Sequence, residues 1–169
     1  ENLVNEFSDF ARMPKPLMKK NNLNKLIQEN INLINKLDGT INIKLINHLS
    51  KEVILNFDYE QLNRLFFNLI KNSLESIQEK AKKANKINKK INIELRQRRD
   101  YINVNLIDTG IGFKDKQAKE LIRPYYTTKQ KGTGLGLSIV DKIISDHNGS
   151  IKFLNHKNGA KIQIIIPIK

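Results

Sequence analysis

The sequence predicts an α/β fold of two layers, one mixed sheet with helices packed on a single face. Three observations predict it. Helical and strand periodicities alternate along the chain in the order helix, strands, helix, strands, helix, strands. Each helical segment carries one apolar stripe, and the strand segments alternate apolar with polar residues, so every element has one face to bury. The length of 169 residues suits a single core with at most a short appendage.

Residues 1–13 read as the end of a helix, with Leu3, Phe7 and Phe10 on one stripe. Pro14-Lys15-Pro16 then forces an extended break, which divides an appendage at 1–16 from a domain at 17–169. A lone stripe before a proline linker needs a partner elsewhere. The next helix covers 23–37, with Leu23, Leu26, Ile27, Ile31 and Ile34 on one face and Asp38-Gly39 as its stop. Ile41, Ile43 and Leu45 alternate with polar residues and predict a half-buried strand at 41–47, followed by a shorter one from Val53 to Phe57. Asp58 is a suitable N-cap for a long helix from 59 to about 83, striped by Leu62, Leu65, Phe66, Leu69, Ile70, Ser73 and Ile77. Strands at 91–97 and 101–108 follow, then an irregular stretch with a short helix near 115–122. A helix at 136–147 ends at Asn148-Gly149. Strands at 150–154 and 160–166 close the chain as a hairpin around Asn158-Gly159.

Composition narrows the function classes. With 39% hydrophobic and 28% charged residues the balance is that of a soluble globular domain. No apolar run approaches the roughly eighteen residues of a membrane span. The absence of cysteine excludes disulfides, thiolate metal sites and cysteine nucleophiles. The net charge of +13 would suit a nucleic-acid binder, yet the densest cluster, from Lys80 to Lys90 and on to Arg96, Arg98 and Arg99, is interleaved with Asn and holds no aromatic stacking platform. A solvated basic surface is therefore expected there. The chain opens mid-pattern on Glu1 and is expected to be a fragment.

Three patches carry chemistry. Asn68 and Asn72, four apart in the long helix, share a face at the margin of its apolar stripe. Their neutral amide oxygens suit a hard cation shared with phosphates, although a pair of surface residues in an Asn-rich chain fits the spacing too. In Asp108-Thr109-Gly110-Ile111-Gly112-Phe113, Asp108 shares strand parity with Ile102, Val104 and Leu106 and so enters the helix-covered side. A carboxylate there needs hydrogen-bond donors, and a ligand amino group would serve; a solvated turn Asp is the alternative. The third patch is Thr127-Thr128-Lys129-Gln130-Lys131-Gly132-Thr133-Gly134-Leu135-Gly136-Leu137. Its glycines lead into a helix N-terminus, where free N–H groups and the helix dipole favour phosphate. It matches neither a Walker A loop nor a Rossmann fingerprint.

Together these patches resemble the N, G1 and G2 boxes of the histidine kinase, gyrase, Hsp90 and MutL ATPases, over about residues 17–168. Arg123-Pro124-Tyr125-Tyr126-Thr127-Thr128-Lys129 resembles the F box of bacterial sensor histidine kinases. Glu6-Phe7-Ser8-Asp9-Phe10-Ala11-Arg12-Met13-Pro14 is similar to the end of the second dimerisation helix in nitrogen-regulation sensors. The resemblance implies a Bergerat-type fold with a mixed, mostly antiparallel sheet, and a catalytic domain that binds ATP and Mg²⁺. Asp108 would accept from the adenine amine, with Gly110 and Gly112 shaping the base pocket. Asn72 would ligate Mg²⁺, with Asn68 nearby. Lys129 and the amides of Gly132, Thr133, Gly134, Leu135, Gly136 and Leu137 would hold phosphates, while Tyr125 and Thr128 belong to the lid. Asn68, Asn72 and Lys129 would carry the catalysis.

Two positions depart from the pattern. Glu75 stands where many relatives have a basic residue, and Asn68 stands where gyrase-type ATPases hold a hydrolytic Glu. Without a base to activate water, the implied chemistry is phosphoryl transfer. The acceptor would be a histidine in a His-Glu-x-x-x-Pro motif, which His48, His147 and His156 all lack. The phosphoacceptor is thus expected outside the chain, on a dimerisation domain of a homodimeric parent that also engages a response regulator. The domain would be cytoplasmic, in a parent anchored in the inner membrane, with no nucleic-acid partner. The competing expectations are a nucleotide-binding pseudokinase, a serine kinase of the anti-sigma type and a basic nucleic-acid-binding module.

Overall fold

The computed structural model describes residues 12–113 and 136–168. The chain enters through a linker that ends at β1 (Lys19–Asn22) and runs into α1 (Leu23–Leu37), whose N-cap Asn22 accepts from the Lys25 amide. There follow β2 (Asn42–Asn47), β3 (Ile54–Phe57) and α2 (Tyr59–Lys83). After them come β4 (Lys90–Arg98), β5 (Tyr101–Asp108), α3 (Gly136–Asp146), β6 (Ser150–His156) and β7 (Gly159–Pro167).

Five strands form the main sheet in the order β2-β4-β5-β7-β6. Only β2 and β4 run parallel, because the chain between them crosses through α2; every other pair is antiparallel. Ile91, Ile93 and Leu95 of β4, Ile102, Val104 and Leu106 of β5, and Ile162, Ile164 and Ile166 of β7 form the buried rows. These strands pair so that the rows lie on one face, where the stripes of α1, α2 and α3 cover them in a single core. The opposite face carries Asn92, Glu94, Asn103, Asn105 and Gln163. The mixed sheet with helices on one face is as the sequence predicts, and its mostly antiparallel pairing is as the resemblance implies.

Two features depart from expectation. The segment Val53–Phe57 does not join the main sheet. Ile54–Phe57 pairs instead with Lys19–Asn22 in a separate two-stranded ribbon. Lys19–Asn22 is polar throughout and gives no period to detect. At the C-terminal hairpin the turn sits on Lys157 and Asn158, one residue earlier than expected, and Gly159 opens β7. The expected helices at 1–13 and 115–122 fall on residues outside the described ones, apart from Arg12 and Met13.

The linker is held to the start of α2. The Leu17 amide donates to Asp58 Oδ2 at 2.8 Å, and Gln61 Nε2 donates to the Pro14 carbonyl. Asp58 caps α2 through Gln61, and its own amide donates to Nε2 of the buried His147 at 3.1 Å. With Nε2 accepting, Nδ1 carries the proton and donates to Ile143 O. His147 thus pins the end of α3 to the start of α2.

Candidate functional site

The site is built along α2. Asn68, Asn72, Ser76 and Lys80 recur every four residues and form one slowly inclined row, with Ser73 beside it. The row spans about 18 Å at 1.5 Å per residue. At its first end the Asn68 amide oxygen lies 3.9 Å from where a Cβ on Gly136 would stand, so it faces the opening residue of α3. This brings the first and third sequence patches together. An 11-residue helix begins beside a neutral amide oxygen, which suits an anion and its counter-cation.

The second patch meets the row farther along. Asp108 ends β5 on the helix-covered side, as strand parity predicts, and is only 3% exposed. Ser73 Oγ donates to Oδ2 at 2.8 Å, while the amides of Gly110 and Ala160 donate to Oδ1 at 2.9 and 3.3 Å. Burial raises the Asp108 pKa above the ordinary carboxylate range; the bonds from Gly110, Ser73 and Ala160 and the charge of Lys80 oppose it. The alternative of a solvated Asp is excluded. Oδ2 receives one hydrogen bond and keeps acceptor capacity for a ligand amine.

The turn after Asp108 is docked from two sides. Ser76 Oγ accepts from the Ile111 amide at 2.9 Å. Asn155 Oδ1, from β6, accepts from the Phe113 amide at 3.0 Å, and the Phe113 and Phe153 rings meet edge to face. Gly112 adopts φ +75°, which a side chain would strain. Gly159 passes so close that a Cβ would overlap the Asp108 carbonyl oxygen and crowd the Gly110 nitrogen. Gly159→Ala should therefore cost about 1–3 kcal/mol by overpacking against backbone. Urea unfolding checks this, and a loss below about 0.5 kcal/mol would mean that β7 and the turn separate freely.

Of the residues expected from sequence, the structure brings Asn68, Asn72, Asp108, Gly110, Gly112, Gly136 and Leu137 to α2 and the two elements facing it. Tyr125, Thr128, Lys129, Gly132, Thr133, Gly134 and Leu135 lie outside the described residues. Sequence reasoning missed three groups. Ser73 closes the first patch after Asn72 and also falls on the apolar stripe, and the sequence gives it no role of its own, although a hydroxyl among Leu69, Ile70 and Ile77 signals a buried polar partner. Ser76 and Asn155 carry no local signal. The expectation of a solvated basic cluster also needs correction at its first member, because Lys80 Nζ donates to three backbone carbonyls.

Comparison with known proteins gives the family and the fold. Residues 57–169 match the family model described as histidine kinase-, DNA gyrase B- and HSP90-like ATPase. The chain is 29% identical to the nitrogen regulation protein NtrY of Azorhizobium caulinodans over 99% of its own length and 21% of that protein. It is 32% identical to a putative sensor histidine kinase NtrY-like protein of Rickettsia felis, over 100% of the chain and 27% of the relative. The chain therefore spans about a fifth to a quarter of these relatives. Its fold is similar to the nucleotide-free catalytic domain of histidine kinase ThkA, with a TM-score of 0.77 and 26% identity over 89% of this chain and 95% of that one. ThkA in complex with the response regulator TrrA gives a TM-score of 0.79 at 23% identity, over 99% of this chain and 47% of that one.

Proposed function

The chain belongs to the family of histidine kinase-, DNA gyrase B- and HSP90-like ATPases, and from that membership we propose that it is the ATP-binding catalytic domain of a sensor histidine kinase. The observation that carries this reading is the buried Asp108 carboxylate, with acceptor capacity left on Oδ2, set beside a row of α2 whose first residue faces the start of α3. A ligand along α2 would thus meet a carboxylate near Ser73 and an anion-favouring helix start near Asn68. That polarity matches a purine nucleotide, base at Asp108 and phosphates at α3. Residues 17–169 form the catalytic domain in this reading, and 1–16 the end of a dimerisation helix with its linker.

Asp108 accepts from the adenine exocyclic amine, and the Gly110–Gly112 turn lines the base. The amide oxygens of Asn72 and Asn68 fit a hard cation, and these residues would hold Mg²⁺ against the phosphates. The ion would supply neutralisation of charge on the transferring group. Gly136 and Leu137 start α3 toward the phosphates, and Gly132–Leu135 with Lys129 continue that site on the strength of the sequence motif. Tyr125 and Thr128 belong to the lid on the same ground. Asn68 cannot act as a base toward water, which favours transfer to a protein side chain.

The acceptor is a histidine on the dimerisation domain of a homodimeric parent. Among the three histidines here, His48 sits 3.7 Å from Glu94, His147 is buried between α2 and α3, and His156 ends β6. A response regulator is the downstream partner, supported by the ThkA–TrrA complex. No helix among the described residues is long and apolar enough to cross a membrane; membrane attachment is a property proposed for the parent. Radiolabelled ATP tests the reading. The chain should bind Mg-ATP without labelling itself, and should slowly label a supplied histidine-bearing dimerisation domain with acid-labile, alkali-stable phosphate. The rate should be low because separate chains lose the orientation advantage. Binding without any transfer would indicate a pseudokinase, and label on one of the local histidines would relocate the acceptor.

A further inference from the structure

Lys80 opens the basic stretch of the chain, yet it is the one lysine of that stretch whose ammonium meets three backbone carbonyls. Nζ donates to Thr109 O at 3.1 Å, Gly110 O at 3.2 Å and Asn158 O at 2.8 Å. The first two belong to the turn after Asp108; the third belongs to the β6–β7 hairpin. An ammonium has three donors, so all of them are committed to the backbone. Lys83, one turn farther on, instead pairs at the surface with Glu79 at 3.3 Å. Lys80 also continues the α2 row that begins at Asn68, four residues after Ser76.

We propose that Lys80 is a positioning residue for nucleotide-base recognition: its ammonium ties the Asp108–Gly110 turn to the β6–β7 hairpin and brings a positive charge to the two carbonyls that follow the buried Asp108. The inference rests on the nucleotide reading above. The two parts of the role arise from one geometry. The turn that Lys80 holds also delivers the Gly110 amide to Asp108 Oδ1, and the hairpin that it holds delivers the Ala160 amide to the same oxygen. Electrostatically, α2 brings the Lys80 ammonium to the carbonyls of Thr109 and Gly110, next to Asp108, whereas β4 and β7 present Ile91 and Ala160 there. Among the described residues Lys80 is the charge that acts against the burial of this carboxylate. Lys83, His156 and Lys157 line the groove outside the turn. With no free donor, Lys80 does not itself bind the ligand.

The experiment is calorimetric titration with Mg-ADP over the pH range in which the protein stays folded, on wild type, Lys80→Met, Lys80→Arg and, as a surface control, Lys83→Met. An ionised Asp108 accepts from the base amine, so affinity should fall as pH drops through its titration. Removing the cation beside the Asp108 turn moves that fall to higher pH. Lys80→Met should bind several-fold more weakly at the midpoint of the wild-type pH profile, with its own midpoint displaced upward. Lys80→Arg should recover both, and Lys83→Met should match wild type. Unchanged affinity and profile in Lys80→Met overturn the inference alone. Weaker binding without displacement of the profile, unrescued by Arg, also overturns it, since that is the mark of a merely structural lysine. Failure of the wild type to bind Mg-ADP overturns the nucleotide reading and this inference with it. Should Lys80→Met not fold, nitrogen NMR of the wild-type ammonium groups decides. Lys80 should exchange its protons with water more slowly than Lys83 and shift on addition of Mg-ADP; exchange as fast as that of Lys83 overturns the proposal.

Discussion

Asn72→Ala is expected to lower phosphoryl transfer to a supplied dimerisation domain by about a hundredfold or more, the scale of losing a preorganised electrostatic contact to the transferring group. Adenosine affinity should change less than about threefold, because Asn72 lies one turn before Ser76 on α2 and the base contacts come from Asp108 and its turn. The separation follows from the proposed layout of the site, with the cation at Asn68 and Asn72 and the base toward Ser76 and the neighbouring Ser73. Single-turnover transfer and equilibrium titration with adenosine measure the two ends independently. Transfer and Mg²⁺ dependence identical to wild type would remove Asn72 from the metal site.

Asp108→Asn is expected to weaken ATP binding by about 1–3 kcal/mol. One atom of the new side chain faces the amides of Gly110 and Ala160, so the amide oxygen takes that place. The NH₂ group then stands where Oδ2 stood, and points a donor at the donor of the adenine amine. The Ser73 hydroxyl can reverse and accept, but the ligand amine cannot. For the same reason wild type should prefer ATP over GTP, which presents a carbonyl at that position. Folding should not suffer. The Asp108 pKa is raised by burial, so above that pKa the folded state carries an ionised carboxylate at a free-energy cost, which a neutral amide removes. The melting temperature near neutral pH should hold or rise while affinity drops. Equal calorimetric affinity of wild type for ATP and GTP would break the assignment of Asp108 to the base amine.

The contrast between Asp108 and Lys80 shows how much of the site is legible in the chain. Asp108 lies in register with Ile102, Val104 and Leu106, and a strand's period of two fixes the side to which it points. Asn68 and Asn72 are placed on one face by the helical period in the same way. Lys80 continues the row of Asn68, Asn72 and Ser76, but nothing local says which backbone its ammonium meets. Its role depends on Thr109 and Asn158, 29 and 78 residues away.

The sequence by itself determined the order of the described elements from α1 onward, their buried faces and the three motifs, because each of these is written in a short-range period or a turn preference. Only the tertiary structure decided which strands pair. The parallel joining of β2 to β4 spans all of α2, and the ribbon of β1 with β3 uses a strand with no apolar alternation at all. Only packing moved the last turn onto Lys157 and Asn158, since Gly159 has to lie against the Asp108 backbone, where no Cβ fits. The buried hydroxyl of Ser73 and the ammonium of Lys80 likewise took their partners from elements far along the chain. Periodicity tells a residue which way to face, but not which distant backbone it will meet there.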